Sequence, residues 1–245
     1  MDEGTLPRTI WAKASGNSPS TISSPPVTTV SATIPAAVKD TLKTQDLRGL
    51  YRHCRIGATH PIKCTKIPFN KQLVRLEKDI RKLVGDPLES QNLWFRGLIL
   101  DALESTLAFF IPERNSRNCD SELGPGSYTA DRLSHALPYA RGGGAIMVFK
   151  DPDLHKNQVW ELNTEAWGSC VARWKHLPLE IAREPIPEEY YTADFIKGPI
   201  SEDANGRRSQ ELPTPSDEIQ LVACSYGGCK ALSDSLEMII FIAQN

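Results

Sequence analysis

The chain has 245 residues, 40% of them hydrophobic and 24% charged, with 28 Lys and Arg against 30 Asp and Glu and a formal net charge of -2. That length suits one domain with tails, and the near-balance of charge gives no general pull toward phosphate backbones or anionic lipid, so nucleic acid is not an expected partner. Met1-Asp2-Glu3-Gly4 has neither a basic nor an apolar leader pattern, and no apolar stretch approaches the ~20 residues of a bilayer span. A cytoplasmic or nuclear protein with six reduced cysteines is the expectation.

Residues Ala14 to Val38 contain no charged side chain and are dense in Ser, Thr and Pro. Such a stretch buries too little apolar area to offset chain entropy. Residues 1–46 are therefore expected to be a disordered arm, and 47–245 a single mixed domain. The segment 14–38 is where a protein partner is expected, since its β-branched part, Val27 to Ile34, can add a strand to a sheet edge.

From Gln72 to Val84, Leu73, Leu76, Ile80 and Leu83 form one helical stripe that Gly85 ends. Asp86-Pro87-Leu88-Glu89 reads as a second helix start. Leu93, Trp94, Ile99, Leu103, Leu107 and Phe110 give that helix a broad apolar face, and the two segments are expected as an antiparallel pair. Tyr128 to Leu137 reads as a short helix. Ala145 to Phe149 reads as a strand after three glycines, with Gln158 to Leu162 returning as its hairpin partner. Trp167 to Trp174 suggests one or two helical turns. Glu180 to Pro215 is rich in Pro and charge, and a strand at Ile219 to Ala223 precedes a final helix from Cys229 or Lys230. The expected fold is α+β or mixed α/β: a helical pair packed on a small sheet, preceded by the arm.

The corner after that last strand, Ala223-Cys224-Ser225-Tyr226-Gly227, carries the chemistry. Small residues let a turn hold strained angles and present Ser225 as a nucleophile. The amide of Tyr226, at a helix N-terminus, would face an oxyanion. The segment resembles the nucleophile elbow of α/β-hydrolases, Gly-x-Ser-x-Gly, with Ala223 in the place of the first Gly. The resemblance covers about 25 residues and implies acyl transfer. It departs from the family's order of Ser, acid and His, because no His follows Ser225. The run Leu221-Val222-Ala223-Cys224 also resembles the nucleophile strand of caspase-like cysteine proteases, which makes Cys224 the alternative nucleophile. The base is then an upstream imidazole, His176 or His135. The same residues equally make an inert strand–turn–helix corner.

A second cluster, Cys54, His60 and Cys64, has zinc-compatible ligands but no Cys-x2-Cys hook. Zinc is the one cofactor these residues raise, against an ordinary basic loop. Three functional expectations follow. The first is a hydrolase or acyl-transfer enzyme acting from Ser225 or Cys224. The second is a non-catalytic interaction protein, viral or accessory in kind, that binds through its arm. The third is a small zinc-stabilised protein touching nucleic acid.

Overall fold

The strongest apolar runs in the chain become strands covered on both faces. Ala145 to Phe149 and Met238 to Ile242 are such runs, and each residue in them is at most 1% exposed. The computed structural model describes residues 32–56, 61–113, 121–140, 143–178, 180–181, 185–202 and 211–244. Residues 1–31 of the expected arm, and His60, lie outside them.

Among the described residues nine strands form one mixed sheet. They are β1 Lys43–Gln45, β2 Ile62–Pro68, β3 Leu93–Ile99, β4 Ser127–Ala130, β5 Gly144–Lys150, β6 Val159–Glu161, β7 Phe195–Ser201, β8 Pro215–Ala223 and β9 Leu236–Ala243. Their order across the sheet is β1-β2-β9-β5-β3-β4-β8-β7-β6. The pairs β2/β9 and β6/β7 are parallel and the remaining neighbours antiparallel.

Helices cover both faces: α1 Leu47–Leu50, α2 Leu73–Val84, α3 Leu100–Ala108, α4 Leu133–Ala136, α5 Thr164–Trp174, α6 Glu189–Thr192 and α7 Tyr226–Asp234. Alternation along the strands sorts the core into two layers. Trp94, Met147, Leu221, Ile239 and Phe241 meet Leu47, Leu103, Leu107 and Leu232, from α1, α3 and α7. On the other face Phe95, Ile146, Val148 and Ile240 meet Leu76, Ile80 and Leu133, from α2 and α4. Ile196 and Val222 meet Trp167 and Cys170 of α5 there. Each buried aliphatic or aromatic side chain contributes roughly 1.5–3 kcal/mol.

The mixed helix and strand content matches the expectation, but the sheet is not small and there is no simple helical pair. Helix α2 has the expected bounds within a residue. The second expected helix is instead a 3-10 turn at Asp86–Leu88, then β3, then α3. The expected hairpin of Ala145–Phe149 with Gln158–Leu162 is absent: β5 lies between β9 and β3, and β6 pairs with β7. A run buried on both sides takes strand neighbours from anywhere in the chain, so adjacency in sequence misled here. Tyr128 to Leu137 splits into β4 and α4, and the final helix is followed by β9. The folded body also reaches below residue 47. Val38 is fully buried, β1 pairs with β2, and the Ala32 amide donates to Asp101 Oδ1 at 2.8 Å. No helix among the described residues is long and apolar enough to cross a membrane.

Candidate functional site

Strands β3 and β4 are neighbours yet share a single paired position, Phe95↔Ala130. Each is fully paired on its other side, β3 to β5 from Leu93↔Lys150 to Ile99↔Gly144, and β4 to β8 from Ser127↔Ala223 to Ala130↔Gln220. The Asp131 amide donates to Ile219 O, on the β8 side. By strand alternation Thr129 and Ser127 face β8, while the backbone groups of Ala130, Tyr128 and Gly126 face β3. The Gly126 amide accordingly finds Glu113 O at 2.9 Å on that side. Between these two closures, Gly97 and Tyr128 are next in line and do not pair. The sheet is slit there.

Position 97 needs glycine. A Cβ would come within 1.9 Å of Ala136 O, because α4 lies directly on this stretch of β3. The slit opens into a cavity of about 350 Å³, walled by Phe95, Leu98, Ala136 and Ile200 with Arg96, Glu122 and His135 among its polar groups. It crosses the sheet. Alternation puts Arg96 on the face of Trp94 and Leu98, and puts Tyr128 and Gln220 on the face of Phe95 and Val222.

Arg96 is 8% exposed. Its Nη2 donates to Glu113 Oε2 at 2.8 Å, whereas its Nη1 is buried and has no hydrogen-bond partner. A buried guanidinium nitrogen with no acceptor carries a desolvation cost on the order of 1–3 kcal/mol or more. Glu122, also buried, is served on one side only: its Oε2 accepts from the Ser201 amide at 3.1 Å, while its Oε1 has no hydrogen-bond partner and has Lys175 Nζ 3.2 Å away as an ion pair. His135 Nδ1 lies 3.1 Å from Glu218 Oε2, which fixes the imidazole at the cavity wall.

The corner at the end of β8 has a different character. Ser225 is the N-cap of α7, with Oγ accepting from the Gly228 amide at 3.0 Å and donating to Asp194 Oδ1. Asp194 also accepts the Gln158 amide on Oδ2 at 3.0 Å, and its carbonyl takes the Cys224 amide at 2.8 Å. Cys224 is half-buried, and burial pushes its thiol up to about 12. Tyr226 opens α7 with its side chain 75% exposed. His176 follows α5 at a φ of 54° and is exposed; its amide donates to Arg173 O. Among the described residues no imidazole bonds Ser225 or Cys224, so the structure brings Ser225 to Asp194 and not to His176.

Cys54 and Cys64 both lie in the core layer beneath α1 and α3, away from water. Burial pushes the Cys64 thiol up to about 12 and raises that of Cys54, which disfavours the thiolate that zinc takes. Among the described residues no group of three His, Cys, Asp or Glu side chains is disposed to hold a metal.

Arg96 and the slit were missed in the sequence. The available signal was a lone charge within Leu93-Trp94-Phe95-Arg96-Gly97-Leu98-Ile99, a position that otherwise reads as core. Compared with known proteins, the chain matches no family model and no curated protein.

Proposed function

We propose that the protein binds a small, largely apolar organic acid in the slit between β3 and β4, with Arg96 holding the carboxylate. One observation carries this reading: Arg96 lines a mostly apolar cavity, and its Nη1 is buried without a partner. A carboxylate supplies the missing acceptor in the charge-assisted form that guanidinium favours. A volume of about 350 Å³ sits at the lower end of small-ligand pockets. Calorimetric titration of the full chain with 4-methylpentanoate and 3-phenylpropanoate tests it. One-to-one binding that Arg96→Met weakens is the expected result. Equal binding by both proteins, or by neither, removes the reading.

A second reading, acyl transfer from Ser225 or Cys224, draws support from the sharp course of strand, corner and helix at Ala223–Tyr226. Its base would have to come from outside the bonds that Ser225 makes to Asp194 and Gly228. A fluorophosphonate probe that labels the native chain and spares Ser225→Ala would favour this reading over the first.

A further inference from the structure

The slit offers a ligand more than one guanidinium nitrogen. By strand alternation, the N–H and C=O of Gly97 face those of Tyr128 across it, and no rung of the ladder joins them. The adjacent rung, Phe95↔Ala130, and the Gly126–Glu113 bond close the two ends. The opening is therefore a sheet with one rung left out. A single amide group is what each side would otherwise meet, an N–H for one strand's carbonyl and a C=O for the other strand's amide.

Resting on the carboxylate reading above, we infer that the ligand is an N-acylated amino acid or the C-terminal end of a short peptide, whose amide fills the missing rung between Gly97 and Tyr128 while its carboxylate meets Arg96. The neighbouring positions of Arg96 and Gly97 on β3 put the charged and the backbone recognition next to each other, as a carboxylate and its own amide are in an acylated amino acid. Phe95, Leu98 and Ile200 provide the apolar surface for an aliphatic side chain. Backbone pairing of this kind recognises the peptide group whatever its side chain, and the pocket walls select the side chain. Glu113 already matches the charge of Arg96, so a singly charged acid suits the site better than a polyanion.

The test is titration of the full chain with three probes of one shape. N-acetyl-L-leucine carries both groups. (S)-2-acetoxy-4-methylpentanoate keeps the carboxylate and replaces the amide N–H by an ester oxygen. N-acetyl-L-leucinamide keeps the amide and lacks the carboxylate. The expected order is N-acetyl-L-leucine tightest, with the ester about tenfold weaker because one strand carbonyl loses its donor. The leucinamide is expected to be weakened similarly, and to be indifferent to Arg96→Met. Hydrogen exchange of the Gly97 and Tyr128 amides should slow when N-acetyl-L-leucine binds. Equal affinities for the amide and the ester, or slowed exchange elsewhere only, overturn the inference while leaving the carboxylate site standing. Failure of all three probes, together with the simple acids, overturns both.

Discussion

The corner that ends β8 and the slit between β3 and β4 are both interruptions of the same sheet, and they treat their polar groups in opposite ways. At the corner Ser225 caps α7, Asp194 collects a hydroxyl and two amides, and the Cys224 thiol stays protonated under cover. The Ser225 hydroxyl and the Cys224, Gln158 and Gly228 amides there all bond within the chain. At the slit Arg96 Nη1 has no acceptor, and a ladder rung is missing. Side chains of reactive type draw attention in a sequence, but a ligand is drawn to groups whose needs the fold has not met.

The largest effect concerns Cys224. With its thiol pushed up to about 12, alkylation by iodoacetamide near pH 8 should run roughly three orders of magnitude slower in the folded chain than in urea. The rate should rise about tenfold per pH unit. The same shift favours the protonated thiol in the folded state, so its stability contribution is intact below the unfolded pKa of ~8.5 and drains away as pH climbs toward that of the folded thiol. Rapid labelling at neutral pH would revive the corner as a reactive site.

Gly97→Ala comes next. The added methyl meets the α4 backbone at 1.9 Å. Stability should fall by about 3 kcal/mol, read from the denaturation midpoint, because overpacking against backbone has no flexible atom to give way. A neutral result would mean that α4 does not lie on the slit.

Arg96→Met should weaken carboxylate binding about tenfold or more while leaving unfolding nearly unchanged, since Glu113 is 35% exposed and can rehydrate. A large loss of stability instead would make Arg96 a structural ion pair.

Ser225→Ala is the mildest. Loss of the cap should cost about 1 kcal/mol in unfolding free energy with no change at the slit. Loss of carboxylate binding in that variant would tie the two regions together and end the contrast.

Parts of this architecture were legible. The stripe of Leu76 and Ile80 marked α2, and the glycines before Ala145 marked the start of β5. Trp94, Phe95 and Leu98 were misread because a strand buried on both faces has no alternation, and its apolar residues also fit a helix. Leu236–Ala243 suffered in the same way. Pro199 and Gly198 disguised β7, since both residues are depleted in strands. The corner was visible because its residue types are distinctive. The slit was not, because it arises from the register of β3 against β4, whose one paired position joins Phe95 to Ala130, 35 residues further along the chain. No local pattern records a missing rung.

The position of β9 bears on how the molecule assembles. The last strand in chain order sits between β2 and β5, near the middle of the sheet. Until Leu236–Ala243 leaves the ribosome, β2 and β5 each present a bare apolar edge to the cell. Closure therefore waits for a segment more than 160 positions beyond β2, the kind of distant partnership that slows folding and gives chaperones time to act.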